Sequence, residues 1–195
     1  MIDESGELAD AGRSPFEQEQ FVQKARDYFD KVVGKGFKLQ MDSADMYLQL
    51  AGAPDRVLGC VMSNIAIISR YAPTDTIYHE AFHVVLELIA PDDVRQKVYD
   101  RYRKANGANL TEREVAEGLA DMFVDYMAGG SASGTLARIF NNIKFAMGLL
   151  SKYGLINAIR MTRFLAKVNS GKFANNGISE QKENDFKSKF GVLYH

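Results

Sequence analysis

Two histidines and a glutamate stand close together in the string T-I-Y-H-E-A-F-H-V-V, as His79, Glu80 and His83. On a helix, residues at i and i+4 project from one face, near enough for both imidazoles to hold the same metal ion. Glu80 is rotated out of that line by one residue, so its carboxylate can hold a water beside the metal instead of binding it. Imidazole nitrogen suits zinc, which accepts tetrahedral geometry with one position left open. The chain has three histidines, so two of them fall in this one string. The chemistry such a set can perform is hydrolysis by an activated water, with Glu80 as general base.

A five-residue pattern also arises by chance, and His and Glu on a solvated helix face would mean little. The neighbouring positions argue otherwise. Ile77, Ala81, Phe82, Val84, Val85 and Leu88 make a helix over 75–89 that is apolar nearly all round, which is expected of a helix buried inside a domain. Imidazoles and a carboxylate buried together need compensation, and a metal supplies it.

A catalytic zinc takes a third protein ligand. The helix expected after Thr111 contains E-V-A-E-G-L-A-D, with Glu114, Glu117 and Asp121, and Asp125 follows. Glu117 and Asp121 share a face at i, i+4 spacing. Gly118 and Ala120 beside them would let this helix approach the first one closely. Glu114 is the main rival for the third position, and Asp121 or Asp125 as ligand would make an aspartate-type site.

From about residue 37 to 128, the chain resembles the gluzincin-type H-E-x-x-H zinc metallopeptidases, with their zincin-like fold. Metzincins place a glycine and a third histidine shortly after the motif, and Leu86 and Ile89 occupy those places here. Gluzincins carry a glutamate on a later helix in an E-x-x-x-D arrangement, which Glu117 and Asp121 match. The resemblance implies Zn2+ as cofactor, His79, His83 and Glu117 as its ligands, and Glu80 as the catalytic base. Asp121 would stand behind them, accepting a hydrogen bond from the far nitrogen of a ligand histidine. A peptide or protein substrate is implied, extended and antiparallel to a cleft-lining edge strand over Asn64–Ser69, with its pairing near Asn64–Ile68. Tyr126, Tyr153, Arg160 and His195 are open choices for stabilising the oxyanion.

The H-E-A-F-H string, the E-x-x-x-D helix and the later R-F-L-A-K-V-N-S-G-K-F are similar to peptidase domains within large multidomain proteins of phages and other mobile elements. That likeness implies one module of a longer polypeptide. The alternative from a different class is a catalytically inactive zincin-like binding or structural module.

These residues must be positioned by the elements around them. An acidic, polar start over 1–13 is expected to be disordered. Ser14, Pro15 and Glu17 then form a capping box, with Phe21, Ala25, Tyr28, Phe29 and Val32 at helical spacing and Gly34 as a stop. F-K-L-Q-M alternates like a half-buried strand. Residues 43–52 are ambiguous, and G-A-P-D is a turn. V-L-G-C-V-M and N-I-A-I-I-S read as two β segments joined near Ser63 and Asn64. After Pro73 the pattern is helical throughout. Pro91 ends the motif helix, and Val94, Val98 and Tyr102 line the next, which stops at Gly107. Thr111 and Glu114 cap a helix with Val115, Leu119, Met122, Phe123 and Tyr126 on its apolar side, ending at Gly129-Gly130. Two more follow, one with Leu136, Ile139, Phe140, Ile143, Met147 and Leu150 inward, the other with Ile156, Ile159 and Leu165. A small mixed sheet followed by a mostly helical part makes the chain α+β. The expected division is a core over 14–130, helices over 131–170 packed on it, and a linker with a terminal helix over 171–195.

The chain has 195 residues, 46% of them hydrophobic and 25% charged, which is ordinary for a globular domain. One cysteine, Cys60, precludes an internal disulfide and reads as a small buried hydrophobe. No signal peptide or membrane-spanning run is seen, so a cytoplasmic or virion-associated protein with no membrane partner is expected. Residues 131–195 carry ten Lys/Arg against three acids, and the rest carries 14 against 22. The basic residues are dispersed along the sequence, so no nucleic-acid partner is expected and attraction between the two halves is the simpler reading.

Overall fold

The structure, a computed structural model, describes residues 13–35, 37–42, 57–131 and 135–194. Of the stretch 1–13 expected to be disordered, residues 1–12 lie outside the described residues, as do 43–52, the G-A-P-D turn and His195, while Arg13 donates to the Arg70 and Ala72 carbonyls. The chain is a mixed α+β fold, mostly helical, with a small sheet.

Helix α1 (Pro15–Val32) begins as its sequence dictates. The Ser14 side chain accepts from the Glu17 N–H, and the Glu17 carboxylate accepts from the Ser14 N–H at 2.7 Å. Phe21, Ala25, Tyr28, Phe29 and Val32 are its buried face, and Gly34 leaves the helix at φ 114°. Strands β1 (Lys38–Asp42), β2 (Gly59–Met62) and β3 (Ile65–Ser69) follow, and β4 (Leu193–Tyr194) joins them from the far end of the chain in the order β1-β3-β2-β4. Strand β3 runs parallel to β1 and antiparallel to β2. The β2–β3 turn is two residues, Ser63 and Asn64, with Ser63 at φ 55°, the positive φ that a two-residue hairpin turn needs.

The sheet order corrects one expectation. Asn64–Ser69 was expected at the edge, yet β3 is paired on both sides and has no free edge for a peptide. Among the described strands the edges are β1 and β4. A hairpin partner on one side was legible from the Ser63-Asn64 turn, but β1 on the other side is a long-range parallel pairing that local pattern does not encode.

Helix α2 (Thr74–His83) leaves β3 through a short turn and widens over Val84–Ile89 into a π-helical segment, marked by the Ala90 N–H bonding the Val85 carbonyl at 2.7 Å. Pro91 then starts α3 (Asp92–Asn106), which Gly107 terminates at φ 148°. Helix α4 (Glu112–Ser131) packs directly on α2, with Phe82 stacked on Phe123 at 5.0 Å between ring centroids.

Helix α5 (Thr135–Asn169) is two helices meeting at Gly154, which has φ 71° and ψ 162°. Its inward face differs from the expected one. Leu165 is buried as expected, but Ile143, Met147, Leu150, Ile156 and Ile159 are exposed, and Leu149, Tyr153, Ala158, Met161, Phe164 and Val168 are buried in their place. Both sides of this helix are apolar, so periodicity alone did not choose between them. No described helix is long and apolar enough to cross a membrane.

The segment after α5 packs against the earlier elements. A short 3-10 turn (Ala174–Asn176) leads to α6 (Glu180–Lys189), whose Phe186 is buried. Asn176 and Lys182 donate to the Ile89 and Ala90 carbonyls, satisfying backbone acceptors left where the π-helical segment ends.

Candidate metal centre

The helix pair α2 and α4 brings three donor atoms to one point. His79 Nε2 lies 2.9 Å from His83 Nε2 and 3.1 Å from Glu117 Oε2, and His83 Nε2 lies 3.4 Å from the same oxygen. Each distance is short because His79 and His83 are one α-helical turn apart, while the Phe82–Phe123 stack holds α4 against that face. Two imidazole nitrogens at 2.9 Å need a proton or a cation between them. Donor atoms around a tetrahedral zinc, with bonds of about 2.0 Å, stand roughly 3.3 Å apart. This triangle fits that spacing, and its chemistry of two imidazoles and one carboxylate fits zinc.

Both histidines are buried, and Glu117 is about one-third exposed. Burial alone would lower the His79 imidazole, but Asp121, Glu117 and Glu80 outweigh it and raise it to about 9. Burial pushes the Glu117 carboxyl upward, yet its bonds to His79 and His83 leave it well below the usual carboxylate range. The cluster thus attracts positive charge strongly.

Asp121 Oδ1 lies 3.5 Å from His79 Nδ1, on the ring edge opposite Glu117. Glu114, the rival ligand, is elsewhere: its carboxylate accepts from the Thr111 N–H at 2.8 Å on the surface, completing the α4 capping box. Asp125 lines a neighbouring cavity instead of the cluster.

Glu80 faces the sheet. It is fully buried, and neither carboxylate oxygen has a hydrogen-bond partner among the described residues. Burial raises its pKa to about 8, with His79 opposing and Glu117 adding to the shift. A buried carboxyl without partners costs stability, and such groups concentrate where a proton must be taken up or released.

Gly118 serves a different contact from the one expected. A side chain at 118 would collide with the Tyr102 hydroxyl of α3, so the missing Cβ admits Tyr102 and not α2. Tyr102 was readable only as part of an apolar face, yet its hydroxyl feels the Asp121 charge. Both residues line a cavity of about 540 Å³ with Asn106, Lys144, Lys152 and Tyr153. Within it Asn106 Nδ2 donates to Tyr153 Oη at 3.0 Å. Of the other oxyanion choices, Tyr126 stacks on Phe123 at 6.2 Å, and Arg160 lines a groove between α3 and α5 with Lys97, Arg101, Arg163 and Lys167.

Glu87 is a second buried carboxyl that the apolar pattern concealed. It sits in the π-helical segment, accepts from Tyr99 Oη at 2.6 Å, and has Arg95 Nη1 3.5 Å away. Comparisons with protein-family models, curated proteins and solved structures give no match.

Proposed function

We propose that the chain is a zinc-dependent peptidase of gluzincin type, in a zincin-like fold, hydrolysing peptide bonds with Glu80 as general base. The observation that carries this reading is the donor triangle of His79, His83 and Glu117 next to a buried, unpartnered Glu80. His79, His83 and Glu117 would hold the ion. Zinc at such a site supplies a Lewis acid and lowers the pKa of water to about 7.

The chain's own groups do the remaining work. Glu80, raised to about 8, is matched to taking a proton near neutral pH and giving it up again. It removes the proton from water as the water oxygen bonds to the substrate carbonyl carbon. As the carbon–nitrogen bond breaks, Glu80 passes that proton to the departing amine, leaving a carboxylate product. Asp121, at 3.5 Å from His79 Nδ1, helps hold the ring orientation that aims Nε2 at the cluster. Tyr102 and Tyr153 offer aromatic hydroxyls for oxyanion contact, since both line the cavity that Asp121 borders.

The alternative, a zincin-like binding module without turnover, draws on one observation: Glu80 has no exposed surface. Hydrolysis of a mixed peptide library by zinc-loaded protein separates the two. The peptidase reading expects cleavage that falls by about 10³-fold or more in Glu80→Gln while zinc is retained. Full zinc occupancy with no cleavage by the wild type would leave the binding module.

A further inference from the structure

We infer that the outer edge of β2 is the edge on which an extended peptide pairs, and that the chain's own segment Phe190–Tyr194 holds it; this rests on the peptidase reading. Strand β3 is paired on both sides and cannot receive a peptide. Strand β2 has an outer edge, and there Cys60 pairs with Tyr194 and Val61 with Leu193, antiparallel. The next β2 residue towards its start is Gly59, which stands on Glu80. A chain running antiparallel along this edge therefore travels towards the carboxylate that would act on it. Main-chain pairing of this kind accepts many sequences, as a peptide-binding edge does.

The segment is also fastened from the side of the metal cluster. Arg113, one turn before Glu117 on α4, donates from Nη2 to the carbonyls of Phe190 at 2.8 Å and Val192 at 2.7 Å. Lys189 pairs with Glu112 on the same helix at 3.1 Å, and the Leu193 side chain is fully buried. The segment thus bridges the strand that backs Glu80 and the helix that carries Glu117. His79, Glu80 and His83 are at most 1% exposed, so a substrate carbonyl reaches them only after something moves. A two-residue strand gives up few ladder hydrogen bonds when it leaves, which makes β4 an element that can open.

Cys60, the single cysteine, is fully buried on β2 opposite Tyr194 and reports the opening directly. The test follows thiol-labelling rate and peptide hydrolysis together, on the zinc-loaded full chain and on Arg113→Ala. Leu193→Ser serves as a second route to the same release. Losing the two guanidinium bonds is expected to raise both labelling and hydrolysis by about tenfold. The free peptide Phe-Gly-Val-Leu-Tyr should reverse both effects. Faster labelling with unchanged hydrolysis overturns the inference, as does labelling that does not change in either variant. If no variant hydrolyses peptide, the peptidase reading fails by itself. The edge is then judged by whether Phe-Gly-Val-Leu-Tyr slows Cys60 labelling in Arg113→Ala: slowing upholds the binding edge, and no effect overturns it.

Discussion

Gly59 of β2 leaves just enough room for Glu80 of α2: a Cβ at 59 would lie 2.8 Å from Glu80 Cγ and 2.9 Å from Glu80 Oε1. It would also lie 2.8 Å from Thr76 Cγ2, so neither neighbour can move aside without disturbing the other. Gly59→Ala is therefore expected to displace the Glu80 carboxylate. Overpacking of this kind costs about 1–3 kcal/mol. On the proposed mechanism, hydrolysis should fall at least about tenfold while zinc content stays at the wild-type level, because the atoms that a Cβ would crowd most closely belong to Glu80 and Thr76 and not to a ligand. Elemental analysis alongside steady-state kinetics checks this, and loss of zinc in step with activity would count against it.

The two glutamates of α4 should separate cleanly. Glu117→Ala removes a cluster donor and is expected to bring bound zinc well below one per chain. Glu114→Ala removes the Glu114 half of a capping box and should lower stability slightly without touching zinc content. Metal analysis on protein purified without a metal-binding tag, paired with urea melts, distinguishes the outcomes.

Glu87 should leave a pH signature in stability. Its burial raises the folded pKa from 4.5 to about 7, against the bond from Tyr99 and the charge of Arg95. The folded protein then binds this proton more tightly than the unfolded chain does. The contribution is fully present below about pH 4.5 and is lost as pH rises through 7. Urea midpoints of wild type and Glu87→Gln, measured from pH 5 to 8, should differ in slope. The wild type should lose up to a few kcal/mol more than the variant over that range. Parallel curves would show that Glu87 does not titrate there.

Gly118 and Tyr102 should be strongly coupled. In a helix interior Ala is ordinarily favoured over Gly by about 1 kcal/mol. At 118 the methyl group collides with the Tyr102 hydroxyl, so Gly118→Ala is expected to destabilise the protein. In a Tyr102→Ala background the same change should stabilise it. Such a sign change in a double-mutant cycle would measure the contact, whereas simple additivity would show that Tyr102 leaves without cost.

Much of this was legible because local rules and burial agreed. The five apolar residues expected to face inward on α1 are its buried set, and both capping boxes appear with the expected partners. His79, His83 and Glu117 could be brought together on paper because two of them share a helical face and the third heads the only E-x-x-x-D pair among small residues. What escaped was set by partners distant in sequence. No local pattern gives β3 a parallel neighbour in β1, or gives Gly118 a tyrosine from α3. Helix α5 offered two apolar sides, and only packing chose between them. Lys97 and Arg101 lie some 60 residues before Arg160, Arg163 and Lys167, so their shared groove was invisible in a sequence where basic residues looked dispersed. Glu87 was lost for a simpler reason: one acid in a run of aliphatic residues does not alter the average.

The π-helical segment at Val84–Ile89 also bears on how this chain can change length. A π turn holds about one residue more than an α turn over a similar rise. Removing one residue there would restore regular α geometry without breaking the helix. The residues beyond would stay near their present orientation about the axis, because the wider turn already absorbs the extra residue. His79 and His83 precede the segment and would keep their places, and Pro91 and α3 after it would keep theirs. The join between the motif helix and α3 can therefore take up a change of one residue in the chain without moving either.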